Sequence, residues 1–205
     1  MTLPSRRAFA TAVAGSLLVG CGGGGDRDGG AATPEARSTA PPSRPPAEAA
    51  RALRRSVPAG LEIPAIGVDT PVMELGLAAD GTVQVPPVTA DDRAGWYRHS
   101  RTPGQIGPSV LLGHATVGAH GDGVFHDLVR LRRGDRIVAR LENGTEPEFT
   151  VDSVRTVAQA DFPTDDVYGD VDRPELRLVT CGGPRLGDGY RDSVIVYASL
   201  RSAGP

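Results

Sequence analysis

Apolar and polar residues alternate in short runs along most of this chain, and turn-forming residues separate the runs. Leu61–Ile66 and Thr70–Leu75 are the first two, and 80-DGTVQVP-86 reads as a turn entering a third. Ser109–His114 is a nearly continuous apolar run that stops on a histidine. Arg136–Leu141 and Glu148–Val157 flank 142-ENGTEP-147 and predict a hairpin. Leu176–Thr180 and Ser193–Leu200 complete the set. A period of two sends successive side chains to opposite faces, as a half-buried strand requires. Two stretches break that period. Val124–Leu131 is apolar at 124, 125, 128, 129 and 131 and predicts a short helix, and Asp165–Tyr168 predicts a single helical turn. About eight strands and one or two short helices predict an all-β fold, a closed or nearly closed barrel. The barrel domain is expected over residues 57–205.

The first 56 residues do not share this pattern. Arg6 and Arg7 precede an uncharged, mostly apolar run of 13 residues, Ala8–Gly20. That run fits the core of an export signal and is short for a membrane span, which needs about 20 residues. Ser5-Arg6-Arg7-Ala8-Phe9 resembles a twin-arginine motif. Leu18-Val19-Gly20-Cys21 resembles a bacterial lipobox, which implies cleavage after residue 20 and a lipid anchor on Cys21. An ordinary cleaved signal and a short retained anchor are the alternatives. Each of these places the barrel outside the cytoplasmic membrane. Residues 21–56 are rich in Gly, Pro, Ala and charge with few large apolar side chains, and predict a disordered linker.

Composition removes several chemistries. The formal net charge of −3 leaves no general basic footprint for nucleic acid. All 22 basic residues are arginine, which rules out a Ser-Lys dyad, a Schiff-base lysine and a phosphate-loop lysine. No Gly-x-Ser-x-Gly elbow is present for a serine hydrolase. The histidines at 114, 120 and 126 recur every six residues, but that spacing across a Gly-rich loop is not a recurrent ligand pattern, so neither a metal nor any other cofactor is expected. Cys21 and Cys181 are the two cysteines. With Cys21 lipidated or removed, Cys181 has no disulfide partner in its own chain and is either buried and inert or free and used.

The surroundings of Cys181 favour use. In 175-ELRLVTC-181, alternation puts Arg177, Val179 and Cys181 on one face, and Gly182-Gly183-Pro184 ends the strand. If the strands on either side of the loop 182–190 pair as a hairpin, Arg191 lands near Cys181. A guanidinium there would favour thiolate and could donate to an oxyanion. His114 also ends a strand, and an imidazole is the usual activator of a cysteine nucleophile.

With these residues in view, the chain resembles the bacterial sortases, most closely the class E and F type. Leu178-Val179-Thr180-Cys181 is similar to the family's strand ending in Thr-Cys, Leu112-Gly113-His114 to its histidine motif, and Tyr190-Arg191-Asp192-Ser193-Val194 to its arginine segment. The stretch 123-GVFHDLVRLRRGDRI-137 resembles the family's segment between histidine and cysteine. The resemblance spans about Leu61–Leu200 and implies an eight-stranded sortase-like barrel. It implies cleavage of an LPXTG-like sorting signal by Cys181 through a thioacyl-enzyme, with His114 as acid and base and Arg191 holding the oxyanion. Thr180 would lie against substrate. The implied partners are secreted proteins bearing a C-terminal sorting signal, an amine of a cell-wall precursor and, through Cys21, the membrane.

Two other readings stay open on the residues: a sortase-like hydrolase that uses water as acceptor, and a non-catalytic module that binds peptide or cell wall. L,D-transpeptidases also use His then Cys, but they flank the cysteine as Ser-x-Gly-Cys-x-Arg, where this chain has Val-Thr-Cys-Gly-Gly.

Overall fold

The computed structural model describes residues 52–90, 92–117, 121–186 and 189–204. The export signal, Cys21 and the linker through residue 51 lie outside them, as does His120. Eight strands are present: β1 (Pro58–Ile63), β2 (Val68–Leu75), β3 (Ala94–Tyr97), β4 (Gly107–Leu112), β5 (Arg136–Leu141), β6 (Glu146–Ala158), β7 (Pro174–Leu186) and β8 (Gly189–Gly204). They close into a barrel in the order β1-β2-β3-β4-β7-β8-β6-β5. Closure pairs every strand on both sides and leaves no open sheet edge. The β2–β3 and β4–β7 pairings are parallel and the others antiparallel.

Two apolar layers explain the hydrophobic pattern. Inside the barrel, Leu61, Trp96, Leu111, Phe149, Leu176 and Val196 belong to one buried cluster. A second cluster of Val110, Leu112, Val167, Val179 and Ile195 lies on the other face of β4, β7 and β8. Val167 comes from α1 (Thr164–Tyr168), which covers that outer face. Strand β4 is therefore buried on both sides along its whole length, which is why it reads as an apolar run rather than an alternation.

The structure departs from the sequence expectations in several places; the first strand, expected over Leu61–Ile66, ends at Ile63 and passes into a 3-10 turn, Pro64–Ile66. The strand expected over 80–86 is a single bridge, Leu77 to Val83. A strand absent from the expected set, β3, is four residues long and carries the fully buried Trp96. The helix expected over Val124–Leu131 is a series of tight turns ending in a 3-10 turn, Leu128–Arg130. Its amides close onto the third residue back, as Leu128 does onto Phe125 at 3.2 Å and Arg130 onto Asp127 at 2.9 Å. So short a segment cannot offset the cost of helix nucleation, and burial of Phe125 and Leu128 decides its path instead. Finally, the loop expected over Gly182–Tyr190 continues the hairpin, with Arg185 opposite Tyr190 and Leu186 opposite Gly189. Before β1, the Leu53 amide donates to the Gly104 carbonyl at 2.8 Å and Arg55 lies over the Trp96 ring at 5.9 Å, so ordered contacts begin ahead of Val57.

Candidate active site

The candidate residues stand on, or just past the end of, three neighbouring strands. In the β7–β8 ladder Arg177 faces Tyr197, Val179 faces Ile195 and Cys181 faces Ser193. These pairs share the outer face, while Leu176, Leu178 and Thr180 alternate towards the barrel interior opposite Ala198, Val196 and Val194. On the other side of β7, the parallel β4 places Leu112 opposite Val179, and the Gly113 amide donates to the Val179 carbonyl at 3.2 Å. His114 is two residues past Leu112, as Cys181 is two past Val179, so both leave the sheet at the same end. Arg191 is two residues from Ser193 on β8 and keeps the face of Cys181. The order β4-β7-β8 thus carries His114, Cys181 and Arg191 side by side at one end of the barrel.

Two glycines make this end possible. A Cβ on Gly113 would stand 2.6 Å from Cδ2 of the fully buried Phe125, so any side chain would push the histidine-bearing turn off the barrel. A Cβ on Gly182 would stand 2.5 Å from Val194, directly beyond Cys181.

Cys181 is exposed, yet the protein around it pushes its thiol pKa up through burial. Desolvation of the sulfur is the cause, and it works against the thiolate that a neighbouring guanidinium would favour. His114 is half-buried, and its Nε2–H donates to the Pro86 carbonyl at 2.6 Å. Arg191 is exposed and, among the described residues, has no ion-pair partner. Thr180 is 5% exposed and its hydroxyl has no hydrogen-bond partner. It lines a cavity of about 380 Å³ beside Cys181, together with Ala115, Val129, Gly182, Tyr190 and Val194.

Sequence reasoning missed two contacts here. The Tyr190 hydroxyl donates to the Thr116 hydroxyl at 3.1 Å and ties the start of β8 to the loop that follows His114. The Pro86 carbonyl reaches His114 from a segment 28 residues away in sequence, and no local pattern announces a pairing over that separation. His126 lies beside the turn that carries His114: its Nδ1 meets the Ala115 carbonyl at 3.1 Å and Asp122 at 3.3 Å, and it lines the cavity that also takes in Cys181.

The sortase-domain family model matches residues 61–201, which is most of the chain. This protein belongs to the sortase family, whose members are in general cysteine transpeptidases. The fold agrees with solved sortases. Sortase A of Listeria monocytogenes superposes with a TM-score of 0.55 at 17% identity, covering 73% of this chain and 90% of that one. The lid mutant of Corynebacterium diphtheriae sortase A gives 0.54 at 20% identity, with 72% of each chain covered. A Clostridium perfringens sortase D5 transpeptidase gives 0.53 at 22% identity, covering 71% of this chain and 81% of that one. No curated protein matches at the sequence level. The residues of this sortase that carry the three motifs are those the barrel brings to one end.

Proposed function

We propose that this sortase is an extracytoplasmic transpeptidase that cleaves an LPXTG-like sorting signal at Cys181 and passes the acyl group to an amine. The observation that supports this reading is that the adjacent strands β7 and β8 carry Cys181 and Arg191 and that β4, the neighbour of β7, ends two residues before His114. Burial pushes the Cys181 thiol pKa up, so attack calls on a base. As the sulfur bonds to the threonine carbonyl carbon, His114 takes the thiol proton, and Arg191 donates to the oxygen that gains charge. Collapse breaks the carbon–nitrogen bond, and the imidazolium gives its proton to the leaving amine. An incoming amine then attacks the thioester, loses a proton to His114, and restores the thiol. The family's acceptor chemistry makes a cell-wall precursor amine the partner, and the exported N-terminus with Cys21 as lipid anchor puts the enzyme on the outer face of the membrane.

Intact-mass spectrometry of the chain with LPXTG-type peptides tests this. A thioacyl adduct on the wild type and none on Cys181→Ala is expected, and the adduct mass names the broken bond. An adduct that only water resolves, with a panel of amines present, would make the enzyme a hydrolase. No adduct across a broad peptide library would leave a binding module.

A further inference from the structure

Deepening that reading, and resting on it for the chemical step, we infer that the Pro86 carbonyl is a positioning group that fixes the tautomer of His114 and leaves Nδ1 as the nitrogen that moves protons. A cysteine nucleophile works with a base, and the base is in turn oriented by a third group. Among the described residues no carboxylate bonds to His114, and the one partner of its ring is the Pro86 carbonyl at 2.6 Å. A carbonyl only accepts, so Nε2 carries the hydrogen in the neutral ring and Nδ1 holds the free lone pair.

The segment around Pro86 is built to hold that carbonyl. Gln84, Val85, Pro87, Val88 and Thr89 are all exposed, and Pro86 alone among residues 84–89 is buried. Val85 and Val88, at 60% and 54% exposed, do not hold the strap down by burial. Its ends are pinned instead. Upstream, the Gln84 amide donates to the Gly76 carbonyl at 3.0 Å, and the Gly76 amide returns a bond to the Gln84 side chain at 2.8 Å. Downstream, the Ala90 amide closes a turn onto Pro87 at 2.8 Å, and the Thr70 hydroxyl holds the Asp92 carbonyl. Between these anchors Pro87 confines Pro86 to extended backbone, and each ring fixes its own φ. The carbonyl direction is therefore set by covalent geometry before His114 arrives.

The proton path follows. Nδ1 accepts the Cys181 proton as the sulfur–carbon bond forms. The imidazolium keeps its Nε2–H on Pro86 through the thioacyl stage and returns the Nδ1 proton to the leaving amine. Without the acceptor, the ring is free to rotate and to populate the tautomer with Nδ1 blocked.

The test uses the full chain with nitrogen-15-labelled histidine. Magnetic resonance should show His114 protonated at Nε2 when neutral. Pro87→Gly, which frees the carbonyl, and Gln84→Ala, which loosens the brace, should each mix the tautomers. Both should lower the acylation kcat roughly tenfold or more, the usual cost of losing a group that orients a working histidine, with KM unchanged. An Nδ1-protonated ring in the wild type overturns the inference, and so does a kcat unchanged or raised in both variants. A raised kcat would show that the strap obstructs the site. If the wild type forms no acyl-enzyme, the transpeptidase reading fails, and the tautomer measurement still decides the positioning contact.

Discussion

The outer face of β7 carries two sites built on opposite terms. At one end, Arg177 is buried with Glu175 and forms an ion pair with it. Its Nε also donates to the Asp166 carbonyl at 3.2 Å, and its guanidinium lies 4.6 Å over the Tyr197 ring. Arg173 meets the far oxygen of Glu175 at 2.5 Å, and Arg155 pairs with Asp166 at 3.0 Å. At the other end Cys181 and Arg191 are exposed, and Arg191 has no described ion-pair partner. One set of strands thus supplies a neutralised cluster that fastens α1 and β6 to the barrel, and an end where donors are left for something else to bond. Which arginine belongs to which end is the difference between stability and chemistry.

The sharpest way to break this comparison is to remove each arginine in turn. Arg177→Ala strips the buried Glu175 of its main partner and should cost about 3 kcal/mol, because half of a buried ion pair is left behind. In a domain of this size that lowers Tm by roughly 6–12 °C. Arg191→Ala touches no described pair and should stay within about 0.5 kcal/mol of wild-type stability. The same substitution should slow acylation by about 100-fold or more, the usual loss when an oxyanion donor is removed. Thermal unfolding and single-turnover mass spectrometry on both variants settle it. The comparison collapses if Arg191→Ala unfolds the protein or Arg177→Ala acylates slowly while fully folded.

A smaller effect sharpens the geometry of the open end. Gly182→Ala drives a methyl into the Val194 side chain, which is buried and flanked by Ile195. Repair requires β7 or β8 to move next to Cys181. The expected cost is about 1–3 kcal/mol in urea denaturation, as for overpacked cores. Gly113→Ala should behave alike against Phe125 and should also displace His114. Wild-type stability in both would mean that the two turns are looser than the packing shows.

How far the sequence alone reached follows the range of each interaction. The barrel was legible because burial imposes a period of two, and the reactive ends of β4 and β7 because glycines close both runs. β3 was not, since Ala94-Gly95-Trp96-Tyr97 is too short to show a period and Gly95 is there to admit Leu75, whose Cδ1 would stand 2.3 Å from a Cβ. The 124–131 segment satisfied a helical pattern and folded as turns, because Phe125, Leu128 and Leu131 fill the barrel and their spacing suits either path. The family motifs named His114, Cys181 and Arg191. They gave no sign of Pro86 or Thr116, whose contacts span loops and rest on the closed barrel.

The smallest expected effect concerns the thiol itself. Burial holds the Cys181 pKa above the ordinary 9.0. Alkylation by iodoacetamide should therefore inflect above pH 9 in the free enzyme, since the thiolate is the reacting form. The sign for stability follows from proton binding. Between the unfolded and folded pKa values the folded state holds more protons, so this group's contribution is complete below the unfolded value and falls as pH rises through the folded one. Cys181→Ala should lack that alkaline loss. Arg191→Ala should leave the inflection where it is, because desolvation and not a cation sets it. An inflection well below 9 that Arg191→Ala raises would reverse the assignment. The open end would then carry a standing thiolate–guanidinium pair, the counterpart of Glu175 and Arg177, and His114 would serve chiefly as acid to the leaving amine.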